Sequence, residues 1–195
     1  MRIYGDLVSG NCLKVKWTCD RLGLAYDWFD IDIMQGESRT PEFLAKNPFG
    51  QVPVVELDDG RHVAQSNAIL LHLADGSDLI PADAYARAKM TEWLFWEQYS
   101  HEPYIAVCRF HMKYQGKSAD ERDPDRVERG IKALETLEKS LNISTFLAGN
   151  AFTLADICLL AYTRVAHEGG FDLGGFPVLQ SWIARCEGEL GLTPA

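Results

Sequence analysis

Ser9-Gly10-Asn11-Cys12 sets a hydroxyl, an amide and a thiol side by side where a short strand candidate gives way to a helix start. Backbone amides at a helix N-terminus stabilise an anion, and a hydroxyl held among them can donate a hydrogen bond to a thiolate. The same residues equally fit a plain helix cap, with Ser9 or Asn11 satisfying an amide and nothing more. Cys12 carries its own pair of readings. A thiolate there would support disulfide exchange through a mixed disulfide, whereas a cysteine one turn into such a helix that faces the core is inert.

Two further pairs bear on binding. Val52-Pro53 stands directly before a strand, where a residue that cannot donate to the ladder implies a turn or a cis bond. A cis bond would leave the N–H and C=O of Val52 open to pair with an extended ligand, as another strand would. An edge-strand proline without a ligand is the alternative. Gln65-Ser66 opens the next helix, so the Ser66 hydroxyl and nearby amides suit a carboxylate, while the Gln65 side chain can accept from an ammonium. A simple cap by Ser66 is compatible with both roles.

The elements that must position these groups alternate over the first third of the chain. Arg2 to Gly5 predicts a strand, and the spacing of Cys12, Val15, Cys19 and Leu22 predicts a helix ending at Gly23. From Phe29 to Ile33 apolar and acidic residues strictly alternate, the period of a half-buried strand. Pro41 to Lys46 predicts a short helix. Residues 52–57, the Asp58-Asp59-Gly60-Arg61 turn and His62 to Ala64 predict an antiparallel hairpin. A helix with Ile69, Leu70 and Leu73 inward follows. The order is βαβ, then ββα.

Beyond a linker at Gly76 to Pro81 the signals are helical. Asp83 to about Tyr114 reads as one long helix bent near Pro103, because proline removes a donor and clashes one turn back. Asp123-Pro124 opens another, Thr153-Leu154-Ala155-Asp156 is a capping box with Phe152 and Ile157 placed as its staple, and a final helix runs from about Pro177 to Glu189.

Composition narrows the class. A chain of 195 residues, 47% hydrophobic and 24% charged, suits two small closely packed domains. No signal-peptide or membrane-length apolar run is seen, which predicts a soluble, cytoplasmic protein. Cysteines at 12, 19, 108, 158 and 186 form no C-x-x-C pair, and His101, His111 and His167 lack ligand spacing, so neither a disulfide framework nor a metal is expected. A net charge of −9 with no basic stripe argues against nucleic acid, and a bound anion would need donors local to its site.

The run Thr40-Pro41-Glu42-Phe43-Leu44-Ala45-Lys46-Asn47-Pro48-Phe49-Gly50-Gln51-Val52-Pro53, followed by Gln65-Ser66-Asn67-Ala68-Ile69, resembles the signature of cytosolic glutathione S-transferases. Ser9 ahead of Cys12 and Val15 resembles the serine-type theta, delta and phi classes. Phe146-Leu147-Ala148-Gly149 with Thr153-Leu154-Ala155-Asp156-Ile157 resembles the capping motif of the family's helical domain. The resemblance covers nearly the whole chain.

It implies an α+β thioredoxin-like domain with a mixed four-stranded sheet over 1–76, a linker at 77–81 and an all-α domain over 82–195. It further implies a homodimer that binds glutathione as co-substrate and a small, apolar electrophile. By the same resemblance Ser9 would hydrogen-bond the glutathione sulfur, with Asn11 as a second donor to the sulfur or to Ser9. Val52, before Pro53, would pair with the cysteinyl unit. Gln65 and Ser66 would hold the γ-glutamyl end, Gln51 and Arg39 the glycyl carboxylate. Glu97 would touch glutathione across the dimer, and Leu7, Tyr104 and Arg109 would line the co-substrate pocket. Gln65 stands where glutamate is more common, which implies a weaker grip on the ammonium, and Asn11 stands where proline is frequent. A glutathione-dependent peroxidase or disulfide reductase, or a non-catalytic binding module, is the alternative activity.

Overall fold

The computed structural model describes residues 1–195, which divide into two units, Met1–Ser77 and Asp78–Ala195. The first holds β1 (Arg2–Gly5), α1 (Gly10–Leu22), β2 (Asp27–Asp30), α2 (Pro41–Lys46), β3 (Val54–Glu56), β4 (His62–Ala64) and α3 (Ser66–Leu73). Its sheet order is β2-β1-β3-β4, with β1 parallel to β2 and the other pairs antiparallel. Ile3, Val15, Cys19, Val54, Val55, Ile69 and Leu70 are fully buried and form its core.

Strand β2 departs from the alternating pattern. It covers Asp27–Asp30 rather than residues 29–33, because it is an edge strand whose length is set by pairing with Arg2–Gly5. The next turn is closed by Asp32, whose Oδ1 accepts from the amides of Met34 and Gln35. Phe29 is accordingly exposed and stacks on Tyr4 at 5.2 Å.

The second unit contains α4 (Ala84–Trp96), α5 (Glu102–Lys113), α6 (Pro124–Leu141), α7 (Leu154–Thr163) and α8 (Pro177–Leu190). All residues of α7 are buried, so the other helices pack around it. The expected long helix over 83–114 is interrupted between α4 and α5. A π-helical turn at Glu97–His101 absorbs the register change that Pro103, in the first turn of α5, imposes by lacking an N–H. Gly130 lets α6 lie close to Phe171, since a Cβ there would stand 2.5 Å from the Phe171 ring.

Asp156 fastens this unit together. Its carboxylate accepts from Thr153 N at 3.0 Å, from Leu147 N at 3.0 Å and from Trp182 Nε1 at 2.9 Å, so one buried side chain joins the α7 start, the preceding loop and α8. Burial raises its pKa above the ordinary aspartate value, against the opposing effect of these donors. No helix is long and apolar enough to cross a membrane.

Candidate functional site

Ser9 occupies the N-cap position of α1 with extended backbone, and its carbonyl accepts from the amides of Cys12 and Leu13. Its hydroxyl does not cap the helix. It bonds instead to Cys12, whose sulfur also accepts from the Asp6 amide at 3.3 Å. Cys12 is fully buried, and that burial pushes its pKa up to about 12 despite both hydrogen bonds. A thiol so protonated and enclosed does not serve as an exchange nucleophile at neutral pH, which decides between the two readings of Cys12.

Asn11 reaches across to the next element. Its Oδ1 accepts from Ser66 Oγ at 3.1 Å and from Lys14 Nζ at 2.8 Å. The starts of α1 and α3 are thereby tied, and neither helix has an acidic residue in its first turn to offset its positive end. Lys14 is fully buried in the middle of α1. Nothing in its sequence position signals this, because a lysine on an amphipathic helix ordinarily reads as solvated.

Ser66 is the first helical residue of α3 and not its cap. The cap position belongs to Gln65, which holds φ 69° and ψ 112°, a backbone region that residues with a Cβ rarely adopt. Its Nε2 makes a long contact of 3.5 Å to Gln51 Oε1, which leaves the Gln65 Oε1 as the atom available to accept from an ammonium.

Asn47 organises the loop before the hairpin. Buried, it donates through Nδ2 to Gln51 O at 2.7 Å and accepts from Phe49 N at 3.1 Å. Arg39 donates to Phe49 O at 3.1 Å and lies against Gly50, where a Cβ would meet its Nη1 at 2.5 Å. Gly50 also has φ +61°, so this turn requires glycine on two counts. The Val52–Pro53 bond is cis, and Val52 lies outside the ladder, which begins at Val54.

Two predicted contacts are corrected by the second unit. Glu97 is fully buried in the π-helical turn, where its carboxylate accepts from Cys158 Sγ at 3.4 Å and from Gln98 Nε2 at 2.7 Å, so it has no exposed oxygen to extend toward a partner chain. Arg109 is likewise buried and donates through Nε to Glu168 Oε2 at 2.6 Å, which makes it an internal ion pair rather than a pocket wall. Tyr104 is half-buried on α5, with the Arg129 guanidinium over its ring at 5.7 Å. In the first unit Leu7 is 48% exposed. A cavity of about 360 Å³ in the second unit, lined by Arg164, His167, Phe171 and Gln180 among others, includes none of the predicted residues.

Comparison with known proteins agrees along the chain. The family model described as glutathione S-transferase, N-terminal domain, matches residues 8–75, and that described as glutathione S-transferase, C-terminal domain, matches residues 95–189. A crystal structure of a glutathione S-transferase from Pseudomonas fluorescens Pf-5 is 48% identical, with a TM-score of 0.92 over 95% of this chain and 94% of that one. Glutathione S-transferase 3 of Zea mays is 32% identical over 80% of this chain and 73% of its own length. A maleylacetoacetate isomerase from Methylobacterium extorquens AM1, crystallised with malonate and GSH, is 26% identical with a TM-score of 0.81 over 98% of this chain and 94% of that one.

Proposed function

Starting from a chain that belongs to the glutathione S-transferase family, we propose that Ser9 is the group that activates the glutathione thiol for attack on an electrophile. The observation that carries this reading is the junction at Asn11, which ties two helix starts free of acidic first-turn residues into one anion-favouring edge. Ser9 lies at that edge, and its hydroxyl, not spent on capping, turns its one proton from the Cys12 sulfur to a bound thiolate. A thiolate placed there is stabilised by the helix-end amides and by hydrogen bonds from Ser9 and Asn11, so its pKa falls and more of it is nucleophilic at neutral pH.

The rest of the tripeptide follows the neighbouring groups. Val52 pairs through its backbone with the cysteinyl unit, Gln65 and Ser66 take the γ-glutamyl end, and Gln51 with Arg39 takes the glycyl carboxylate. The local donors supply what a chain of net charge −9 lacks globally. Leu7 and Val8, both exposed beside Ser9, favour an apolar electrophile. The enzyme acts as a homodimer in a reducing cytoplasm, in keeping with five cysteines that are all buried and outside any disulfide.

Glutathione-dependent turnover of purified protein against aryl halides, enals, hydroperoxides and mixed disulfides tests the reaction class. Ser9→Ala tests the mechanism: kcat should fall about tenfold or more with KM for glutathione little changed, since one pKa unit is worth about 1.4 kcal/mol. Wild-type turnover surviving in that variant would remove Ser9 from the mechanism.

A further inference from the structure

Cys12 stands at the third helical position of α1, the position whose amide an N-cap serine ordinarily bonds. The Ser9 hydroxyl passes over that amide and takes the sulfur of the same residue instead. The sulfur also accepts from the Asp6 amide at 3.3 Å, while the Asp6 carbonyl accepts from Ser9 N at 3.1 Å. Asp6, Ser9 and Cys12 therefore close a ring of contacts beneath the loop between β1 and α1. Gly5 leaves room for it, since a Cβ there would stand 3.1 Å from the sulfur. Cys12 is fully buried and Ser9 only half-buried, so the ring runs from the core to a hydroxyl that a ligand can reach.

Two donors point at the sulfur, and neither contact uses the proton that Cys12 itself carries. That proton is retained at neutral pH, because burial pushes the thiol up to about 12. A hydroxyl has a single proton to give but two lone pairs to offer, and a thiol is a weak donor. Once Ser9 turns its proton to a ligand thiolate, its oxygen faces Cys12 as an acceptor. The contact between the two side chains then persists with its direction reversed. A hydroxyl that accepts one hydrogen bond donates a stronger one, by about 10–30% per bond in a chain of this kind.

We propose that Cys12 is a positioning residue for Ser9: its sulfur holds the hydroxyl off the helix amides before ligand binds, and its S–H donates back to Ser9 once the hydroxyl has turned to the glutathione thiolate. The inference rests on the reading of Ser9 given above. No bond to the Cys12 sulfur is made or broken in it. A cysteine too buried for disulfide exchange thereby takes part in thiolate activation through its neighbour.

The experiment compares wild type, Cys12→Ala, Cys12→Ser, Ser9→Ala and the Ser9→Ala, Cys12→Ala double variant with glutathione and an aryl halide. It measures kcat, KM, melting temperature and the pH titration of bound glutathione by the ultraviolet absorbance of its thiolate. Ser9→Ala should move that titration up by about one pH unit. Cys12→Ala should move it up by about half a unit and lower kcat about threefold, with KM little changed, because it removes only the weaker bond behind Ser9. Serine at position 12 is a stronger donor that can keep both partners, so Cys12→Ser should titrate no higher than wild type whatever its melting temperature. In the Ser9→Ala background Cys12→Ala should add no further shift, since the group it acts through is gone. A cysteine that only packs would move the melting temperature and leave the titration alone. An unshifted titration in folded Cys12→Ala, a raised one in Cys12→Ser, or an equal shift without Ser9 would overturn the proposal. Where Cys12→Ala does not fold, the Cys12→Ser titration decides. A thiolate titration that Ser9→Ala leaves unmoved would overturn the reading of Ser9 itself, and this one with it.

Discussion

Gln65 is the non-glycine residue with positive φ, and it sits between the hairpin and the helix that the γ-glutamyl end would meet. Strain of this kind costs on the order of 1–3 kcal/mol and persists where the surroundings demand it. Glycine there would relieve it at a loss of about 0.4–1 kcal/mol in chain entropy. Relief wins, so Gln65→Gly should be more stable by about 1 kcal/mol, a rise of roughly 2–4 °C in melting temperature for a chain of this size. Its KM for glutathione should rise several-fold, since the proposed acceptor for the ammonium is gone. An unchanged KM in calorimetrically stabilised protein would show that the strain serves no ligand. Ser9, Asn11 and Ser66 were legible as candidates because small polar residues at helix starts have few things to do. What they actually bond to was not. Side chains that look like caps here face one another across two helices, and the lysine bonded to Asn11 shows itself as buried only in the folded chain.

At the scale of elements, the local signals transferred well and the pairwise ones did not. The Pro41–Lys46 helix, the Asp123-Pro124 start and the Thr153–Asp156 capping box depend on residues a few positions apart, and all are found. The end of β2 depends on how much of β1 is available to pair with it, and no pattern within residues 29–33 contains that. Asp156 was legible as a cap but not as the acceptor for Leu147 and Trp182. Asp156→Ala would orphan buried donors in three places, so it should cost on the order of 3 kcal/mol or more, with kinetic constants near normal in whatever protein folds. A large rise in KM at an unchanged melting temperature would mark it as a binding residue instead. The sheet has its own acidic clasp. Glu56 on β3 accepts from Tyr4 Oη at 2.7 Å and Arg2 Nη1 at 2.9 Å on β1, with Lys46 Nζ at 3.4 Å. The Tyr4 bond, with Arg2 and Lys46 beside it, holds its pKa down at about 2. A depressed carboxylate favours folding in its ionised form. That stability is complete above the ordinary glutamate value and is lost as pH falls through about 2. The melting-temperature gap between wild type and Glu56→Gln should therefore be constant from pH 7 to about 5 and close steadily below. A gap that widens on acidification would contradict the assignment.

For the whole molecule, the decisive feature is what the surface leaves uncovered. Tyr85, Phe95 and Tyr99 are 75%, 75% and 82% exposed, while Met90 and Leu94 of the same helical stretch are buried. At 100° per residue the three aromatics fall within an arc of about 80°, opposite the buried pair. A stripe of large exposed aromatics on one side of a helix is uncommon on a monomer and is what a protein partner covers. A second copy of the chain is the partner that the family's habit favours, and a two-fold interface needs only this one patch. Glu97 was expected to mark this face, and its burial moves the marker to the aromatics around it. Sedimentation at micromolar concentration should therefore give the mass of a dimer. Phe95→Asp with Tyr99→Asp places four carboxylates in a two-fold interface and removes four aromatic anchors. At roughly 2 kcal/mol for each anchor that proves to be a hot spot, the dissociation constant should rise at least a thousandfold, enough to give a monomer at the same concentration. Both residues are solvent-exposed in the single chain, so the far-ultraviolet circular dichroism of the variant should match wild type. A wild-type monomer, or a double variant that sediments as a dimer, would show that these aromatics face something other than a second copy.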